Sequence, residues 1–162
     1  MRYQNMDNAP LDDFDRRILI TLQNEAGLSS AAVAERVGLS QAPCWRRIQR
    51  MKEAGIIEGP VMRLNQRKLG FHTQVFAEVK LTATGRSNVD DFIAAIQDFP
   101  EVIDCFMLLG KVDFLLRIVT HDNEAYERFF YEKLSRVPGV ADINSIVALS
   151  EIKRMAPLPL AP

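Results

Sequence analysis

Hydrophobic positions in residues 12–55 recur at helical spacing. Phe14, Ile18, Leu19 and Leu22 fall at i, i+4, i+5 and i+8, a single buried stripe, and Asp12 or Asp13 stands where a helix cap belongs. Gly27 ends that helix. Ser29 or Ser30 begins a second, with Val33 and Val37 inward and Gly38 as its stop. Ser40 caps a third helix, which Gly55 terminates, and Ile56-Ile57 leads into an extended segment through Leu64. The connection Val37-Gly38-Leu39-Ser40 is short enough to force helices two and three to cross steeply, as in a helix-turn-helix. An ordinary helical hairpin shares that turn, so the decision rests on the third helix.

From residue 71 the period changes. Residues 74–81 alternate as a strand, and 88–98 repeat as a helix with Val89, Phe92, Ile93 and Ile96 inward. Residues 102–109 and 112–119 read as two strands joined near Gly110, 123–136 as a helix, and 140–149 as a last strand. A 38-residue shift matches Phe76 with Phe114, Thr82 with Thr120, Phe92 with Phe130, FPEV at 99–102 with VPGV at 137–140, and Asp104 with Asp142. Two matched βαβ halves predict a ferredoxin-like βαββαβ sheet with both helices on one face. The fold class is therefore α+β, a three-helix winged helix-turn-helix followed by that domain. Its expected boundaries are 1–60 for the helical domain, 61–70 for an extended segment and hinge, 71–150 for the sheet domain and 151–162 for a tail.

One sheet face would then lack helices, yet Phe114-Leu115-Leu116 and Ile118-Val119 are apolar on both sides, and Phe76, Met107 and Leu109 add to the excess. A wet face should alternate cleanly. A second subunit is the expected cover. The competing arrangement, a single large domain, lays the N-terminal helices there.

Charge sharpens the reading of the third helix. The 162-residue chain has a formal net charge of -1, but residues 41–52 carry Arg46, Arg47, Arg50 and Lys52 without an acid. The first sixteen residues carry Asp7, Asp12, Asp13 and Asp15 against Arg2 and Arg16. Local patches, not totals, set the field a partner meets. Cys44, Ile48 and Met51 share the inward face. Ala42, Trp45, Arg46 and Gln49 point away, with Arg47 and Arg50 on one flank and Lys52 on the other. An indole, a guanidinium and a carboxamide near a helix start suit base edges, and flanking cations suit phosphates. A solvated basic face is the plainer alternative; an exposed tryptophan and the lack of an acid before Glu53 count against it.

The two cysteines are far apart and read as reduced, buried thiols, which fits the cytoplasm. Nothing has metal spacing, no cofactor is implied, and no window approaches ~18 consecutive apolar residues, so neither secretion nor a membrane span is expected.

The runs LDDFDRRILITLQ, AERVGLSQAPCWRRIQRMKEAGIIEG and VMRLNQRKLG resemble the Lrp/AsnC family of transcription regulators. Leu11, Asp12, Asp15, Ile18 and Leu19 match its opening motif. The motif before the recognition helix is met by residues 37–40, and that helix's own by Cys44, Arg47, Ile48, Met51, Gly55 and Ile57. The resemblance covers nearly the whole chain, the ending ALSEIKRMAPLPL included. It implies double-stranded DNA as partner, contacted through Ser40, Gln41, Ala42, Trp45, Arg46, Arg47, Gln49 and Arg50. It implies homodimers through the sheet faces that assemble towards octamers, and an amino acid or related small molecule as effector. The effector loop lies between the second and third strands. Here it reads Gly110-Lys111-Val112-Asp113; Gly110 and Asp113 match, Lys111 and Val112 depart. Asp113 is placed for an α-ammonium, or else it holds a tight turn. A neighbouring subunit would supply the other wall, around residues 137–140 or near Asn144 and Ser145.

The expected function is a sequence-specific, effector-modulated transcription regulator. An architectural protein that compacts DNA with little sequence preference is the alternative. An enzyme would need a constellation that His72 and His121, the two histidines, do not supply. Thiol sensing by Cys44 or Cys105 is explained away if both pack inward.

Overall fold

The computed structural model describes residues 11–154 and 156–161. The N-terminal charges Arg2 and Asp7, and Met155 and Pro162 of the tail, lie outside them. The chain forms two compact units: one holds the described residues up to Arg63 and those from Lys153 onward, the other is Leu64–Ile152.

The first unit contains α1 (Asp13–Asn24), α2 (Ser30–Val37) and α3 (Gln41–Glu53). Ile18, Leu19, Val33, Ala34, Val37, Cys44, Ile48 and Met51 form its core, the inward positions of all three stripes. Asp12 caps α1 in a reciprocal capping box with Asp15, and the Ser29 hydroxyl accepts from the Ala32 amide to cap α2. Gly38 takes φ 74°, ψ 35°, and the Leu39 amide returns to the Ala34 carbonyl at 2.9 Å, which closes α2 and starts the steep turn. Ser40 has the backbone of an N-cap but no side-chain capping bond. Pro43 falls in the first turn of α3, where its missing N–H removes no intrahelical bond. Residues 57–65 form no strand.

The tail belongs to this unit. Leu160 packs against the helical core, and the Leu158 amide donates to Gln23 Oε1 at 2.7 Å. Nothing in the local pattern of APLPL foretells that docking.

The second unit contains β1 (Thr73–Leu81), α4 (Ala83–Ser87), α5 (Val89–Gln97), β2 (Val102–Met107), β3 (Phe114–Thr120), α6 (Asn123–Glu132) and β4 (Val140–Val147). The sheet runs β2-β3-β1-β4, with every neighbouring pair antiparallel. Val75, Ala77, Val79, Phe114, Leu116 and Ile118 meet Phe92 and Ile96 of α5 and Phe129 of α6 in one core, so both helices cover one face.

Three expectations change. The 38-residue repeat finds the right halves, but Phe114 is in the core while Phe76 pairs with Arg117 on the opposite face. A one-residue slip between the halves exchanges the faces. The same slip runs on into the helices, where Phe92 and Phe129 rather than Phe130 are the buried core pair, and Thr82 caps α4 whereas Asp122 caps α6. Met107 pairs with Phe114, so it belongs to the helix-covered side of the edge strand, and Leu109 lies in the following loop; neither adds to the bare face. That face instead carries Phe76, Phe106, Leu115 and Ile146 around Arg117 and Asp104, which form an ion pair. Cys105, expected to be buried, is exposed on β2; an edge strand leaves it without a neighbour on one side.

The end of β1 and the start of β4 meet through glycines. The Thr82 amide donates to the Gly139 carbonyl at 2.8 Å, and a Cβ on Gly85 would stand 2.4 Å from that oxygen.

Candidate functional site

The sequence of α3 divides its surface cleanly. Cys44, Ile48 and Met51 are buried; Ser40, Gln41, Ala42, Arg46 and Arg50 are exposed, and Arg47 and Gln49 are intermediate. Trp45 leaves 51% of its surface in solvent. An indole so exposed on a helix of a small unit is an expensive surface to leave bare unless something covers it.

The four cations of this helix are not equivalent. Arg47 donates to Asp15 Oδ1 at 2.9 Å and to Asp12 Oδ2 at 2.7 Å, and Arg50 donates to Asp15 Oδ2. Asp15 is 1% exposed and at the same time accepts from the Asp12 amide at 3.2 Å, while Asp12 accepts from the Asp15 amide at 2.9 Å. The two acids that cap α1 thus grip α3 from the side. The Asp15 amide and then the Arg47 guanidinium hold the Asp12 carboxyl below its ordinary value, and Asp15 and Asp12 push the Arg47 guanidinium up. Arg47 further lies 5.7 Å from the Phe14 ring centroid.

Arg47 and Arg50, expected as flanking cations suited to phosphates, are engaged by Asp12 and Asp15, which is the geometry of a brace. The sequence displayed the D-x-x-D spacing of the capping box, but its partners lie 32 to 35 residues away. Arg46 and Lys52 form no ion pair among the described residues, so the unspent charge sits with Trp45 and Gln49. Burial pushes the Cys44 thiol up, which suits packing.

At the other site, the segment between β2 and β3 is a closed turn. The Leu108 amide donates to the Asp113 carbonyl at 2.8 Å and the Asp113 amide to the Val79 carbonyl at 2.9 Å. The Asp113 carboxylate accepts from the Leu81 amide at 2.7 Å and from Arg86 at 3.3 Å. It therefore stitches the turn to the end of β1. Gly110 has open space where a Cβ would go and is not left-handed, so nothing within the chain requires glycine there. Lys111 is exposed and Val112 half-buried.

Asn144 and Ser145 do not share a surface. Asn144 pairs with Glu78 on the bare face and donates to its carboxylate at 2.9 Å. Ser145 pairs with Ala77 on the helix side and is hydrogen-bonded to the Tyr126 hydroxyl. Consecutive strand residues must diverge in this way.

A helix-turn-helix that presents an exposed basic, aromatic helix, joined to a βαββαβ domain, defines a class of DNA-binding regulators. Comparison with known proteins agrees. Residues 11–58 match the winged helix-turn-helix DNA-binding model and residues 74–158 the Lrp/AsnC ligand binding domain. The chain is 33% identical over 150 residues to the DNA-binding transcriptional activator DecR of Escherichia coli, covering 93% of this chain and 99% of that one. It is 37% identical over 143 residues to a proline dehydrogenase transcriptional activator of Rhizobium radiobacter, covering 88% and 92%. Among solved structures, a transcriptional regulator of Neisseria meningitidis in complex with L-methionine superposes with a TM-score of 0.88 at 34% identity, covering 93% and 97%. The chain belongs to the Lrp/AsnC family of DNA-binding transcription regulators. No described helix is long and apolar enough to cross a membrane.

Proposed function

We propose that the protein reads a specific operator through α3 and changes its binding or assembly when an amino acid or related small molecule is present. It acts in the cytoplasm, without enzymatic activity, as a homodimer that assembles further. The observation that carries the DNA-reading role is the outward face of α3. Exposed Gln41, Ala42, Trp45 and Arg46, with half-buried Gln49 beside them, form the outward surface of a helix that Arg47 and Arg50 fix to α1. In this reading Gln41, Trp45, Arg46 and Gln49 meet base edges in the major groove, and Ser40 at the helix start meets the backbone. Arg47 and Arg50 contribute position first and field second.

The effector reading rests on the turn at residues 110–113 and on the L-methionine held by the similar Neisseria regulator. Gly110 leaves room for a head group, Lys111 offers a cation, and the Asp113 carboxylate is already engaged by Leu81 and Arg86. A free α-ammonium would therefore share Asp113 rather than own it. The bare face supports dimerisation, because Phe76, Phe106, Leu115 and Ile146 leave an apolar surface that a second copy would cover.

Fluorescence anisotropy with a selected operator and with random DNA tests the first claim. Arg46→Ala or Gln49→Ala should cost about 1–3 kcal/mol on the operator and much less on random sequence. Equal losses on both would favour the architectural alternative, in which backbone contact dominates.

A further inference from the structure

After β4 the chain leaves the sheet unit, and its last residues belong to the helical one. The departing segment is anchored at both ends. On the sheet side the Ala148 amide donates to the Gln74 carbonyl at 2.9 Å, and Glu151 Oε1 lies 3.8 Å from an Arg117 guanidinium nitrogen. On the helical side the Leu158 amide donates to Gln23 Oε1 of α1 at 2.7 Å, and Leu160 packs against the helical core. Leu158 is 70% exposed, so its backbone makes the contact and Leu160 is the apolar anchor. Pro157 and Pro159 help so short a segment to hold. Each fixes its own φ and keeps the residue before it extended, so little freedom is lost on docking. The Leu160 amide closes onto the Leu158 carbonyl at 2.8 Å, a tight turn about Pro159.

The other connection between the units is loose by comparison. Residues 58–65 are all exposed and carry no secondary structure. A flexible stretch of that length wanders over ~15 Å. That is about half of the ~34 Å between half-sites one DNA turn apart. On this connection alone a helical unit can follow a half-site that has moved round the duplex. A docked tail adds a second tether, because the chain from Glu151 to Leu158 spans at most ~25 Å.

We propose that the C-terminal tail is a strap that positions the reading helix. Leu160 and the bond from Leu158 to Gln23 hold the helical unit on its second tether, so that a dimer accepts half-sites at one spacing. α1 is then gripped twice, near its start by Arg47 and Arg50 of α3 and near its end by the tail. Leu160 joins the buried side of the three helices, not the outward face of α3, so it acts through position rather than by touching DNA.

The inference rests on the reading of α3 as the DNA-reading helix of a homodimer. The test is fluorescence anisotropy on the full chain with three duplexes. One is selected by the wild type from random sequence, one has half a turn, ~5 base pairs, inserted between its half-sites, and one carries a single half-site. The proteins are the wild type, Leu160→Asp, Leu160→Met and Gln23→Ala, each first checked for a folded helical unit by Trp45 fluorescence. The wild type should lose about a hundredfold in affinity on the shifted duplex, because both half-sites can no longer be engaged together. Leu160→Asp and Gln23→Ala should lose far less, about tenfold or under, as a unit on one tether still reaches the moved half-site. Leu160→Met should behave as the wild type, and all four should bind the single half-site equally. Wild-type spacing preference in both Leu160→Asp and Gln23→Ala would overturn the strap. So would a loss on the single half-site as large as on the selected duplex, which would make the tail only part of the helical core. If Leu160→Asp does not fold, Gln23→Ala decides, since it leaves the core untouched. A wild type that selects no duplex with two half-sites would remove the dimeric reading of the operator and the strap with it.

Discussion

Asp15→Asn isolates the device that fixes the reading helix. The substitution keeps the size of a 1%-exposed side chain, so it opens no cavity, but it removes the charge and turns one acceptor oxygen into a donor. Whichever way the new amide points, either Arg47 or the pair of Arg50 and the Asp12 amide faces a donor. The contact to Arg47, 27% exposed, is largely shielded from water and is worth about 1.5 kcal/mol, the low end for a charge-assisted bond. Arg50, 52% exposed, is discounted to the surface range of about 0–1 kcal/mol because water replaces most of what it loses. The capping arm adds roughly 0.5 kcal/mol. Because loss of the charge weakens all three contacts, the expected loss is about 2–3 kcal/mol. A unit of ~60 described residues is worth only about 3–9 kcal/mol in total at ~0.05–0.15 kcal/mol per residue, so the loss is large.

Trp45 is the single tryptophan and lies on α3, so its fluorescence during urea denaturation reports on the helical unit. The midpoint should fall clearly, with little change in slope. The pH dependence supplies an internal control. The folded-state pKa of Asp12 lies below its ordinary value of 3.8, because the Asp15 amide and Arg47 favour the carboxylate. That contribution is fully present above pH 3.8 and is lost as the pH falls through the folded value. The wild type should therefore weaken on acidification below about pH 4. A shift within 0.5 kcal/mol for Asp15→Asn, the usual range for an ordinary surface change, would refute the brace.

Two further outcomes follow from the sheet unit. Leu115→Glu puts a charge on the bare face and should lower the mass seen by light scattering, whereas a wild-type monomer at micromolar concentration would remove the case for a partner there. Gly85→Ala forces a methyl to 2.4 Å from the Gly139 carbonyl oxygen, where only backbone can give way, and should destabilise the sheet unit by about 1–3 kcal/mol in calorimetric unfolding; an unchanged transition would mean the contact yields cheaply.

The sequence by itself determined what is local and periodic. The stripe of Cys44, Ile48 and Met51 fixed which side of α3 is buried and so exposed Trp45 and Arg46. Asp12 or Asp13, Ser29 or Ser30, and Gly38 marked helix ends to within a residue, and Asp12 and Ser29 are the caps, because capping and left-handed turns depend on residues a few positions away. The βαββαβ order was legible for the same reason, as strand and helix periods differ. What needed the tertiary structure was every relation between distant segments. Whether Arg47 and Arg50 point to a partner or to Asp12 and Asp15 depends on how α1 and α3 cross. Phe76 and Phe114 match in sequence, yet a one-residue slip sends them to opposite faces, and only strand pairing reveals it. The sequence placed Asp113 either for an α-ammonium or in a tight turn, and only the folded chain brings the Leu81 amide onto its carboxylate. The docking of Leu160 on the helical core joins the two ends of the chain. No local pattern encodes it, because an apolar residue declares that it prefers burial, not which surface will bury it.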